Sequence, residues 1–409
     1  MSARPSRPRG FTLLELIIAS SIMFITIGMA SMAFLSQNKN LQAMDMSRVA
    51  SESSRDALLQ LETSLRSAGW GIDPRNALDF KYLCPTAPCR DKTDGPDELV
   101  FVSRNPSYRM ESNTGTCTAP STGGGATGSC YWGNAWPVDS ANLTATTPTV
   151  TITLRANQVL EKGRVVQVMC QGATKPVMLT LSARYSAGAS ATAVTLTPDT
   201  VDSAPYNNLT DLKADNCHGA VTASVFLVDR YRYFVATPNG SPDPWLMLDT
   251  GLDLNGTSPA TGVDEADWVP IARNVVDMQV AYMVPPTGGV TNYPDANSDW
   301  IIGNSGGPEE PAYGSVTVGG TTYAPPTYST PAADLSRFTK NEANVRGVRV
   351  TLTLRSVRTD ANRGATWAGD SLDGAENRTT PVQIQGRKLY TAQTQVSLRN
   401  MESRSNFTF

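Results

Sequence analysis

The stretch from Phe11 to Leu35 reads FTLLELIIASSIMFITIGMASMAFL and carries a single charged side chain, Glu15. As a helix it is about 37 Å long at 1.5 Å per residue, enough to cross a hydrocarbon core of roughly 30 Å with some tilt. Arg4, Arg7 and Arg9 precede it with no acid among them. The positive-inside rule then keeps the N-terminus cytoplasmic and sends the remainder across. A cleavable secretory signal has a shorter apolar region, so a retained anchor fits better. Neither reading accounts for Glu15. An acid in the membrane costs roughly 2.5–3.5 kcal/mol on insertion scales and falls toward the interface, so it marks function unless it snorkels to the headgroups.

Gly10-Phe11-Thr12-Leu13-Leu14-Glu15-Leu16 resembles the class III signal of type IV pilins and pseudopilins. In that superfamily a basic leader ends in Gly, Phe follows, and a Glu stands at the fifth mature position. The resemblance implies that residues 1–10 are a leader, that prepilin peptidase cuts between Gly10 and Phe11, and that the Phe11 amine is N-methylated. That amine is cationic near neutral pH, because an α-amino group has a pKa of about 7.7–8.0. In a packed filament core an unpaired Glu15 is costly. A pair with the Phe11 amine of a neighbouring subunit offsets that cost, which makes Glu15 an assembly and register residue. Ala19, Ser20, Gly28 and Ser31 are small and allow close helix approach.

The helix is expected to continue to Ala68. From Gln37 onward no proline intervenes, and Leu41, Met44, Val49, Leu58, Leu61 and Leu65 recur near helical spacing. Gly69-Trp70-Gly71 and Pro74 end it. Thus 11–35 is a transmembrane or filament-core half and 36–68 an amphipathic half. Gly28 is the one weak point, so local melting of the kind many major pilins allow at a proline is not provided for here.

After the helix the pattern turns to β. Val150–Leu154 and Val348–Leu354 alternate with period 2. Further strands are expected at Glu98–Ser103, Val165–Cys170, Val177–Ser182, Thr192–Thr197, Ala223–Asp229, Tyr231–Ala236, Trp245–Leu248, Val275–Met283 and Leu389–Arg399. Alternation between turn clusters argues for antiparallel sheets with one wet face. The class is α+β: a long N-terminal helix packed on a large antiparallel β-rich head, 69–409, long enough for two subdomains. Ser112–Ser129 and Pro285–Ala333 are Gly-, Ser-, Thr- or Pro-rich and read as long loops, the best places for partner contact.

Composition narrows function. The net charge of −3 argues against a non-specific nucleic-acid binder. Charged residues are 17% of the chain, below the roughly 25% of average soluble domains, and small polar residues take their place, as in secreted β proteins. The six cysteines, Cys84, Cys89, Cys117, Cys130, Cys170 and Cys217, read as disulfide candidates, with sequence neighbours pairing by loop length. Free thiols stay open as an alternative; zinc lacks its close Cys pairs. His218 is the one histidine, so a multi-His metal site is excluded. There is no P-loop, Rossmann fingerprint, HExxH or GxSxG, and neither enzymatic activity nor a cofactor is expected. Asp295, Asn297 and Asp299 have calcium-loop spacing, yet Trp300 stands where the loop glycine belongs and Gly306 where the bidentate Glu belongs. Asp249, Asp253, Asn255 and Asp264 form a weaker acidic loop.

Val275–Met283, Val345–Leu352 and Val396–Met401 resemble the PilW group of minor pilins and, more distantly, the type II secretion pseudopilin GspJ. The resemblance implies a minor pilin that primes type IV pilus assembly and sits at or near the tip. Its partners would be the major pilin, other minor pilins, a PilY-type tip adhesin, the inner-membrane assembly platform and prepilin peptidase. It would start in the inner membrane of a Gram-negative bacterium and pass into a pilus serving adhesion and twitching motility. A type II secretion pseudopilin and a pilin-anchored adhesin, with Trp132 and Trp136 as candidate contacts, are the alternatives.

Overall fold

A computed structural model describes residues 12–72, 77–79, 92, 94–104, 108–109, 131–132, 135–142, 149–170, 177–199, 223–256, 265–283, 300–302, 316–318, 321–323, 345–360, 366–376, 378 and 380–402. Helix α1, Leu13–Leu65, is a single unbroken element of 53 residues, about 80 Å long. Turns carry the chain on to Trp70. The helix ends there because Gly69 and Gly71 adopt φ of +73° and +68°, which side chains with a Cβ avoid. The Gly69 N–H also donates to the Val102 carbonyl at 3.0 Å, handing the chain to a sheet.

Only the last third of α1 is buried. Ala50, Ser54, Ala57, Leu58, Leu61 and Leu65 face the head at helical spacing. Leu41, Met44 and Val49, expected on the same stripe, are exposed. Their periodicity is real, but the head begins to cover the helix only at Ala50.

The strands used below are β1 (Leu99–Arg104), β2 (Ala135–Asn142), β3 (Thr149–Leu154), β4 (Val165–Cys170), β5 (Val177–Thr180), β6 (Thr192–Leu196), β7 (Ala223–Ala236), β8 (Trp245–Asp249), β9 (Val269–Arg273), β10 (Val275–Met283), β11 (Trp300–Ile302), β12 (Gly347–Arg355) and β13 (Leu389–Ser397), followed by the short helix α2 (Arg399–Glu402). β1 to β9 form one nine-stranded sheet, and β11-β10-β12-β13 a second of four strands. The chain is α+β, and its described strand pairs are antiparallel.

β7 is the spine. Its first half pairs with β2 and β4, its second half with β1 and β8. Two strands were expected here, broken near Asp229-Arg230; the structure has one of 14 residues. Asp229 does not turn the chain because its Oδ1 accepts from Arg164 Nη1 at 2.6 Å. β2 and β9 escaped the sequence reading because Pro137 and Pro270 lie in them, and proline argues against a strand. Pro270 is tolerated on an edge strand, and β2 shifts register beside Val138.

Buried side chains form two main clusters along this spine. One joins Leu61 and Leu65 of α1 to Phe101, Tyr233, Leu246 and the inner faces of β10, β12 and β13. Tyr233 is fully buried and donates to Ser64 Oγ at 3.1 Å. The other gathers Trp136, Ile152, Val166, Leu179 and Val225.

The other face of β10 and β12 is polar but not wet, against expectation. Asp277, Gln279, Thr351 and Thr353 are buried. Arg378 Nη1 donates to Asp277 at 2.5 Å, Arg349 Nε to Glu376 at 2.8 Å, and Gln279 Nε2 to the Gly95 carbonyl at 2.8 Å. Burial pushes the Asp277 carboxyl up, with Arg378 opposing. Alternation reports which side chains are polar, not what lies over them.

Leu61 is fully buried at the joint between helix and head, whereas Leu59 is about half exposed. Leu61→Ala should lower stability by about 2–5 kcal/mol, read as a shifted denaturation midpoint, while Leu59→Ala should leave it near wild type.

Candidate functional site: the exposed half of the helix

Every residue from Thr12 to Gln37 is exposed. Leu13, Phe24, Met29 and Phe34 keep between 63% and 79% of their surface open. An apolar area of this extent calls for a membrane or other protein around it. The helix is long and apolar enough to cross a membrane.

Its interior fits such a medium. Ser20 and Ser21 donate their hydroxyls to the Ile17 carbonyl at 3.0 and 2.8 Å, and Thr26 donates to the Met23 carbonyl at 2.9 Å. These three hydroxyl hydrogens are thereby satisfied within the helix, as a lipid or dry protein environment demands. A Cβ added at Gly28 would meet nothing within 4 Å inside the subunit, so the space beside it is open to a neighbour.

The start of the helix holds a feature the sequence reading passed over. Thr12 is the N-cap, and Thr12-Leu-Leu-Glu15 forms a capping box. Thr12 Oγ1 accepts from the Glu15 N–H at 3.3 Å. Glu15 Oε2 accepts from the Thr12 N–H at 3.0 Å and from Thr12 Oγ1 at 2.9 Å. Glu15 Oε1 makes no bond among the described residues. Within one subunit Glu15 therefore satisfies two donors at an apolar helix start, and one carboxylate oxygen is left over. The signal was present as T-x-x-E before an apolar run.

The other expected sites are placed as follows. Gly10 and Phe11 lie outside the described residues, as do Cys84, Cys89, Cys117, Cys130, Cys217, His218, Asp264, Asp295, Asn297 and Asp299. Cys170 is described through its backbone in β4, and Trp132 through a short strand. Trp136 is a core residue whose Nε1 donates to Gln158 Oε1 at 3.2 Å. In the acidic loop Asp249 accepts from the Gly251 N–H at 2.6 Å and Asp253 from the Gly256 N–H at 2.7 Å. Among the described residues no group of three or more metal-ligating side chains occurs.

The prokaryotic N-terminal methylation motif matches residues 5–31. No curated protein matches the chain. No solved structure matches it. The motif and the exposed apolar helix together indicate a type IV pilin-like or pseudopilin protein, one that assembles with other pilins and a membrane platform.

Thr12→Ala removes the cap acceptor and should cost the first turn about 1 kcal/mol. The expected readout is several-fold faster amide exchange at Glu15 in detergent micelles, with exchange in the head unchanged.

Proposed function

We propose that the protein is a minor pilin of the PilW type, a non-enzymatic subunit that primes type IV pilus assembly and occupies the filament tip. The observation that carries this reading is the division of α1. Its motif-bearing half is bare and apolar, while its last third is built into a large head. Such a subunit joins a helical bundle by one end and presents a bulky domain at the other. A head of this size crowds its neighbours least where they adjoin it on one side, which is the end of a filament.

The PilW assignment gains support from position. The three segments that resemble that group fall in β10, in β12 with the residues leading into it, and at the junction of β13 with α2. These elements are neighbours in the four-stranded sheet, and α1 packs against β12 and β13. They seat the helix on the head, the part that every subunit sharing the helix must solve. In this reading residues 1–10 are removed by prepilin peptidase and Phe11 is methylated. The major pilin, other minor pilins, a PilY-type adhesin and the inner-membrane platform are the partners.

Glu15 has two roles, and one substitution separates them. Gln keeps the capping box, since Glu and Gln both serve at that position, but it carries no charge to attract a neighbouring amine. Glu15→Gln should insert and be processed as wild type, yet co-purify with other pilins about tenfold less at matched membrane abundance, the loss of one good charge pair. Equal co-purification reduces Glu15 to a helix cap and removes the assembly role.

A further inference from the structure

The four-stranded sheet ends at β13, which pairs with β12 along one side only. The register fixes which backbone groups point outward. The Ser356 N–H donates to the Lys388 carbonyl and the Leu398 N–H to the Arg346 carbonyl, both at 2.8 Å. Even-numbered residues of β13 therefore bond inward to β12. Odd-numbered ones direct N–H and C=O away from the sheet, because the two sets alternate along an antiparallel strand. Leu389 obeys this: its N–H is taken by Asp370 Oδ2 at 3.2 Å. Thr391, Gln393 and Gln395 follow it along the same edge, and no described strand pairs there.

Proteins blunt such edges with prolines, charges, bulges or short strands. The edges at β9, β6, β5 and β11 are blunted. β9 carries Pro270 and shifts register against β8; β6 has five residues, β5 four and β11 three. β13 has nine residues, no proline, no charge and an unbroken register.

Beside this edge lies a groove of about 300 Å³ between β13 and α1, lined in part by Arg55, Leu58, Leu59, Glu62 and Ala392. The C-terminal end of α1 lies by α2, since Asn400 Nδ2 donates to the Arg66 and Ala68 carbonyls, so helix and β13 run the same way. A strand added antiparallel to β13 would pass Glu62 first, which pairs with Arg66 at 2.5 Å, then the two leucines, then Arg55. Its helix-facing side chains meet a neutralised ion pair, apolar surface and base in that order.

We propose that β13 is a docking edge for an extended segment of a partner protein. That segment adds to the four-stranded sheet and carries the pattern apolar-x-acidic. Backbone pairing at Thr391, Gln393 and Gln395 supplies the affinity, and the groove on α1 supplies the choice of sequence. The inference rests on the fold of the head and stands apart from the pilin reading.

The test uses the full chain in detergent and two labelled peptides, Thr-Thr-Thr-Leu-Thr-Asp-Thr and the same peptide with Lys in place of Asp, followed by fluorescence anisotropy. The first peptide should bind saturably and about tenfold tighter than the second. Thr391→Pro removes an outward N–H without breaking a bond to β12, as proline on an edge strand allows. It should weaken binding about tenfold with unchanged thermal unfolding. Gln395→Pro provides the same test should the first variant fold poorly. Arg55→Glu should invert the preference between the peptides. The proposal is overturned by no saturable binding at about 1 mM peptide, by binding that both proline variants retain, or by equal affinity for the two peptides. A dimer of the full chain that Thr391→Pro abolishes would also overturn it, by assigning the edge to a second copy.

Discussion

The joint between α1 and the head governs the rest of the structure. One stripe, from Ala50 to Leu65, is buried against β10, β12, β13 and the second half of β7. Leu61 and Leu65 are fully covered there, and the Tyr233 hydroxyl reaches across to Ser64. Burial of apolar area at about 25 cal/mol per Å² makes each such leucine worth roughly 1.5–3 kcal/mol. The joint fixes the helix to the head, and residues 12–37 of the same helix receive no cover from this subunit.

That exposed end is unstable in water and consistent with a membrane or a bundle of helices. The hydroxyls of Ser20, Ser21 and Thr26 bond within the helix, its small residues leave room for neighbours, and its first turn is closed by Thr12 and Glu15. A carboxylate with two donors from its own cap has lost part of the cost of leaving water. The cap and the proposed pairing with a neighbour's amine are therefore complementary. The first makes Glu15 tolerable in the membrane, and the second gives it a direction to face in a filament.

The sequence made the helix, its class of signal and most strands legible, because all rest on local periodicity or local motif. Val165–Cys170 and Val275–Met283 were found to the residue. Errors arose where tertiary contacts override local signals. β7 runs through Asp229-Arg230 because Arg164 absorbs the charge, and β2 and β9 contain prolines that only their surroundings make acceptable. The polar face of β10 and β12 reads as solvated because nothing local says that Gly95, Asp97, Glu376 and Arg378 lie over it. At the site, Glu15 was legible from its isolation in an apolar run. Thr12 is equally legible from its spacing to Glu15 at the head of an apolar run. The β13 edge has no sequence signature, since edge status belongs to the sheet and not to the strand.

The identity of the mature N-terminus bears most directly on this picture, because Glu15 can meet a neighbour's amine only if the chain begins close to it. Intact mass spectrometry of protein extracted from its native membrane reads that terminus. A chain starting at Phe11 and heavier by one methyl group is the predicted result. A chain that still begins at Met1, or one that begins beyond Leu35, would contradict it, since the first has no amine beside Glu15 and the second has no Glu15.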